Sequence, residues 1–189
     1  MKTAAIHEDH ATFRVVLKAM SRPGTPCRLP VQESVTGEHA RLIQLLSCLM
    51  DNEVSFTIVG DDGGTLATDL SLRTGSAQVD IDKSDFVIAT GGTTSGLSSR
   101  IKRGTLEYPD GGATLVYLVN EIAKEGGTAE LSGPGVNGTV RPLFTGLSAS
   151  ELRGLREINA EYPLGVDAMF LDTNGRIACI PRSTRIGEY

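Results

Sequence analysis

The 189-residue chain is poor in the residue types that most often announce chemistry. Its three cysteines, Cys27, Cys48 and Cys179, are odd in number and widely spaced, with no C-x-x-C between them. That spacing offers neither a zinc site nor a redox pair, so the thiols read as reduced, small core side chains in a reducing compartment. Histidine is as scarce: His7, His10 and His39 are the whole set, and everything after His39 lacks an imidazole base. A Ser-His-Asp or Cys-His mechanism would have to draw on the N-terminal region, and no G-x-S-x-G elbow is present. Lysine occurs only at Lys2, Lys18, Lys83, Lys102 and Lys124. None follows a strand end with a partnering acid, the setting of a Schiff-base lysine, which argues against pyridoxal phosphate as a cofactor. No apolar run has membrane-spanning length, and His7, Glu8, Asp9 and His10 stand where a signal peptide needs an apolar core. A soluble cytoplasmic protein is expected.

What is present is ordinary globular material. Hydrophobic residues make up 40% and charged residues 22%, and the length suits one domain spanning residues 1–189. A net charge of −5 makes the chain a poor partner for nucleic acid or an anionic membrane surface. Arginine outnumbers lysine thirteen to five, and several arginines adjoin Pro or Gly. Such residues suit fixed, bidentate contacts to carboxylates or phosphates, although ion pairs with the 23 acidic residues are their commoner use.

Hydrophobic spacing predicts a first helix with Phe13, Val16, Leu17 and Met20 on one face, Asp9 as its N-cap and Pro23-Gly24 as its end. A second helix is predicted from Glu38 to Met50 on a Leu42, Leu45, Leu46, Leu49 stripe. Strands are predicted at Ser55–Val59, Gln78–Ile81, Asp85–Thr90, Ala113–Asn120 and Thr128–Leu131, with an irregular helix from Ser95 to Arg103. The unbroken apolar run Leu115–Val119 implies a strand covered on both faces, as in an α/β sheet. Ser148-Ala149-Ser150-Glu151 has the form of a capping box opening a helix on Leu152, Leu155 and Ile158. Asn174-Gly175 between Ala168–Leu171 and Ile177–Ile180 predicts a hairpin. The expected fold is therefore an α/β layered domain with a mixed β-sheet flanked by helices.

Four clusters merit chemical scrutiny. Gly91-Gly92-Thr93-Thr94-Ser95-Gly96 has P-loop glycine spacing after a strand, but Leu97 occupies the lysine position, so only an anion nest or a structural loop remains. Gly133-Pro134-Gly135-Val136-Asn137-Gly138 matches G-x-G-x-x-G, but an extended, proline-broken segment follows where a dinucleotide site needs a helix. His7-Glu8-Asp9-His10 is rich in ligand atoms but sits at a helix start where Asp is expected in any case. Glu107 and Asp110 flank Tyr108-Pro109 and read as turn caps or contacts for a partner's arginine rather than as an acid–base pair. No catalytic, metal or cofactor ligand is assigned.

Several strings recur in an order that resembles a known family. They are Phe13-Arg14 with Met20-Ser21-Arg22-Pro23-Gly24, Arg73-Thr74-Gly75, Gly104-Thr105-Leu106-Glu107-Tyr108-Pro109, Gly133-Pro134-Gly135, Pro163-Leu164-Gly165-Val166-Asp167, and Pro181-Arg182-Ser183-Thr184-Arg185. Together they resemble PhnH, the carbon–phosphorus lyase subunit family, across Phe13 to Arg185, with little likeness between Pro30 and Leu70. The resemblance implies membership of the bacterial pathway that releases phosphate from phosphonates, in a core complex with PhnG, PhnI and PhnJ. There a phosphonate displaces adenine from ATP to give ribose 1-phosphonate 5-triphosphate, and a radical-SAM subunit later breaks the C–P bond. It further implies a homodimer when isolated and the fold of pyridoxal-phosphate-dependent transferases without their cofactor site. Arg22, Glu107, Arg182 and Arg185 stand out as candidate anion or partner contacts. A stand-alone phosphonate- or nucleotide-binding transferase is the alternative.

Overall fold

The computed structural model describes residues 2–32, 35–37, 39–60 and 64–187, with side chains from residue 8 onward. Its first half contains α1 (Lys2–Met20), β1 (Cys27–Arg28), α2 (Ala40–Ser47), β2 (Ser55–Val59), α3 (Thr65–Thr74), β3 (Ala77–Gln78) and β4 (Phe86–Ala89). The second half adds β5 (Thr114–Val119), β6 (Glu121–Ala123), β7 (Leu131–Ser132), β8 (Leu143–Thr145), α4 (Ala149–Ile158), β9 (Asp167–Asp172), β10 (Arg176–Ile180) and β11 (Arg185–Ile186).

Seven strands form one mixed sheet in the order β1-β10-β9-β5-β4-β2-β3. From β3 to β9 every pairing is parallel, and β10 runs antiparallel between β9 and β1. The Asn174-Gly175 turn makes the predicted hairpin, pairing Ile177 with Leu171. The apolar run of β5 lies at the centre of the sheet and is covered on both faces, as its composition requires. On one face α1, α2 and α3 pack over Phe56, Ile88, Val116, Met169 and Cys179. On the other, α4 packs over Val87, Leu115, Tyr117, Phe170 and Ala178 together with the small pairs β6–β8 and β7–β11. Phe170 stacks on both Tyr117 (centroids 5.2 Å apart) and Phe144 (4.1 Å). Full burial of side chains of this size stabilises by about 1.5–3 kcal/mol each. No helix among the described residues is long and apolar enough to cross a membrane.

The structure corrects several local expectations. Asp9 lies inside α1 and does not cap it. The buried face of α1 is Thr12, Val16 and Ala19, while Phe13 and Leu17 face solvent. That rotation places small residues against the sheet and sends the bulky pair outward. Helix α3 has no predicted counterpart. Its stripe is only Leu66 and Leu70, and Leu72 points outward. The helix expected over Ser95–Arg103 shrinks to a 3-10 turn at Ser98–Arg100, because the preceding loop carries positive φ at Ser95 and Gly96. The strand expected over Thr128–Leu131 begins only at Leu131, and that expected over Gln78–Ile81 is Ala77–Gln78. Of the second predicted helix, Glu38 lies outside the described residues, and α2 covers Ala40–Ser47.

Candidate functional site

The amino ends of the parallel strands collect almost every string singled out in the sequence. Gly112-Ala113 leads into β5, Gly165-Val166 leads into β9, and antiparallel β10 delivers Pro181-Arg182 to the same edge. The turn after α1 returns there as well, with Gly24 N–H donating to the Cys179 carbonyl at 2.9 Å. Arg73-Thr74-Gly75 ends α3 beside Asn52, just before β2.

Arg182 organises this edge. Its backbone N–H donates to Asp167 Oδ1 at 2.8 Å, and Nε and Nη2 donate to Oδ2 at 3.1 and 2.7 Å. Nη1 reaches the Pro109 carbonyl. The Arg182 and Asp167 side chains keep only 15% and 22% of their exposure, so this is a largely desolvated, charge-assisted pair in which two guanidinium N–H groups share Oδ2 and the backbone N–H takes Oδ1. Gly112 leaves room for it: a side chain there would press on Arg182 Nη1 and the Gly165 carbonyl. Arg182 therefore ties the start of β9 to the Gly104–Pro109 turn. That turn is closed by reciprocal bonds, Thr105 N–H to Tyr108 O at 3.0 Å and Tyr108 N–H to Thr105 O at 3.1 Å. Leu106 and Glu107 form its exposed tip.

The Gly133–Gly138 loop leads back into extended chain, where Val140 bridges Leu131, and not into a helix. It acts as a wall. Gly133 packs on Ser183–Arg185, and Gly135 packs so closely on Ser21 and Pro23 that no side chain fits. On one side of the wall is a hollow lined by Arg156, Tyr162, Arg182, Thr184 and Arg185. On the other is a hollow lined by Arg22, Lys124, Glu125, Asn137 and Arg141. Arg22 and Arg185 are exposed and have no ion-pair partner among the described residues. Arg141 is paired with Glu130 at 2.7 Å.

The Gly91–Gly96 loop holds an anion, and the anion is internal. Glu151, in the first turn of α4, accepts from Thr94 N–H at 3.0 Å, Thr93 Oγ1 at 2.9 Å and Thr94 Oγ1 at 2.9 Å. Tyr117 Oη donates to the same carboxylate at 2.7 Å. The expected capping box does not form: Ser148 makes no side-chain cap bond, and its N–H donates instead to the Gly92 carbonyl at 3.0 Å. The inward turn of Glu151 gives it more donors than the cap position would. Burial, and then the bond and charge of Glu151, push the Tyr117 phenol far above its ordinary range.

A family model for bacterial phosphonate metabolism proteins, PhnH, matches residues 2–187. The chain belongs to the PhnH family. It is also 30% identical over 178 residues to a protein of Stutzerimonas stutzeri named as a candidate C–P lyase subunit, HtxG, covering 94% of this chain and 85% of that one. In this PhnH-family chain the four residues singled out from sequence share one edge but not one pocket. Arg182 is internally bonded, Arg185 shares its hollow, Arg22 lies beyond the glycine wall, and Glu107 sits on the tethered turn. Sequence reasoning missed Asp167 as the partner of Arg182, and the Thr93-Thr94-Tyr117 cradle of Glu151. The only available signal for the cradle was a hydroxyl pair in the glycine-rich loop after a strand, together with a tyrosine in an apolar run. Among the described residues no group of three or more His, Cys, Asp or Glu is placed to hold a metal.

Proposed function

We propose that this chain is an accessory subunit of a carbon–phosphorus lyase core complex. It supports formation of ribose 1-phosphonate 5-triphosphate from ATP and an alkylphosphonate, in contact with PhnG, PhnI and PhnJ. Its family membership and its likeness to a candidate C–P lyase subunit support a place in phosphonate metabolism. The observation that carries the accessory role is the position of the family strings. In open α/β sheets, ligands bind outside the carboxyl ends of the strands. Here the strings gather at the amino ends, where Arg182 is spent on Asp167 and on the Pro109 carbonyl.

Displacing adenine by a phosphonate needs an acid for the departing base and a set of cations for the triphosphate. On this chain Arg182 is engaged by Asp167, Arg103 by Glu161, Arg141 by Glu130 and Arg176 by Glu121. Those commitments suit a rigid surface that positions other subunits. In this reading residues 1–189 act as one domain, dimeric when isolated and cytoplasmic. The sheet, with one antiparallel strand beside its parallel set, fits a kinship with the pyridoxal-phosphate-dependent transferase fold. Lys102, bonded to Asp85 at the amino end of β4, is poorly placed for a Schiff base.

A pull-down of the tagged chain from phosphate-starved cells tests this reading. Recovery of PhnG, PhnI and PhnJ in fixed proportion is expected, and recovery of the chain without them counts against it. Arg22 and Lys124, which share one hollow and have no ion-pair partner among the described residues, favour the second reading, a stand-alone phosphonate- or nucleotide-binding transferase. Methylphosphonate binding to the isolated chain, abolished by Arg22→Ala, would support that alternative.

A further inference from the structure

We propose that the Thr105–Tyr108 turn and the hollow beside it form one docking surface for a partner subunit that presents an apolar socket next to a carboxylate. The proposal rests on the accessory reading above and specifies where and by what chemistry the contact is made.

The turn presents apolar side chains to solvent. Leu106 is 77% exposed and Tyr108 is 68% exposed. Nearby Tyr162 is 67% exposed. Single exposed apolar residues are ordinary, but these are grouped and held. The turn is closed by its own paired hydrogen bonds, its exit is fixed by Arg182 on the Pro109 carbonyl, and its entry is fixed by the Arg103–Gly112 bridge. Gly104 adopts φ +77°, with the Tyr108 and Pro109 carbonyls against it, so the base tolerates no other residue cheaply. A prefixed turn loses little conformational entropy on docking, which is the condition under which a few apolar anchors give affinity.

The turn and the hollow are continuous. Arg182 bonds the turn and lines the hollow with Tyr162. Arg103, which precedes Gly104, pairs at 3.5 Å with Glu161, which precedes Tyr162. Two features then ask for an acceptor. Arg185 is exposed and has no ion-pair partner among the described residues, in a chain whose net charge is −5. Thr184 is only 5% exposed, and its hydroxyl has no hydrogen-bond partner there. A buried hydroxyl left unpaired is destabilising, because its lost hydration is not replaced. A carboxylate entering the hollow meets both the cation and the wall that carries this donor. A small anion would use the hollow alone and leave Leu106 and Tyr108 wet. An acidic segment on a partner protein uses all of them.

The test uses the full chain co-purified with PhnG, PhnI and PhnJ. The double variant Leu106→Ser, Tyr108→Ser changes only exposed side chains. It is expected to weaken assembly by roughly a hundredfold, and Arg185→Glu by roughly tenfold or more, with unchanged melting temperature. Leu72→Ser, at 80% exposure on α3, is the control expected to assemble normally. If wild type assembles and the double variant assembles equally well, the docking proposal fails while the accessory reading stands. If wild type does not assemble at all, both fall. Two further outcomes also overturn the docking proposal. One is phosphate binding to the isolated chain that is lost in Arg185→Glu while assembly is untouched. The other is a light-scattering shift from dimer to monomer in the double variant with normal assembly, which would assign the surface to a second copy.

Discussion

Tyr117 and Glu151 meet across 2.7 Å in the core, the phenol rising from the central strand β5 and the carboxylate descending from the first turn of α4. Tyr117 is fully buried and Glu151 is 4% exposed. The same carboxylate gathers the Thr93 and Thr94 hydroxyls and the Thr94 N–H, so one side chain ties together sheet, helix and the loop after β4. A loop that by its glycines resembles a phosphate cradle is thereby closed over a group of the protein's own.

Removing that carboxylate strands several buried donors at once. Glu151→Ala is expected to cost about 3 kcal/mol or more, and Tyr117→Phe about 1–2 kcal/mol, because the second change removes a single donor. Urea denaturation of the two variants measures both, and hydrogen exchange at Thr94 and Ser95 is expected to accelerate in the first.

The Tyr117 phenol also predicts an alkaline limb. Its pKa is raised in the folded chain above the ordinary value near 10, so its neutral form is the one the fold prefers. The stabilisation is complete below about pH 10 and is lost as pH climbs beyond it. The gap in stability between wild type and Tyr117→Phe should therefore narrow at high pH, as read from urea midpoints.

Asp85 sets an acid limb of opposite sign. Burial by itself would raise its pKa, but hydrogen bonds from Lys102 and Ser55 outweigh that and hold the carboxyl below its usual range. A depressed carboxyl stabilises above the unfolded pKa near 3.9 and loses that contribution as pH falls through the folded value. Asp85→Asn and Lys102→Met should each flatten the fall in stability below about pH 4, monitored by circular dichroism.

Arg182→Lys retains charge but not the fork. An ammonium cannot donate to Asp167 and the Pro109 carbonyl in the same geometry. A loss of about 1–3 kcal/mol is expected, with faster hydrogen exchange at Thr105 and Tyr108 as the turn loosens.

Much of the fold is legible in the sequence where one physical signal dominates. The apolar run at Leu115–Val119 marks a strand covered on both faces, and Asn174-Gly175 marks the hairpin that makes the sheet mixed. Legibility fails where the signal is shared. Leu66 and Leu70 give α3 too thin a stripe, and Phe13 with Leu17 suggests a buried face that the packing of α1 turns outward. Ser148 and Glu151 have the spacing of a capping box, yet the donors that win Glu151 lie 34 and 57 residues away in the chain. The candidate contacts are visible as arginines beside Pro and Gly. Their gathering at one sheet edge depends on strand order, which local pattern does not carry.

Adenine release from ATP and methylphosphonate tests the central claim most directly, measured on this chain alone, on PhnG, PhnI and PhnJ without it, and on the four together. The accessory reading predicts no release by the isolated chain and a rise when it joins the other three. Adenine released by the purified chain alone would contradict it.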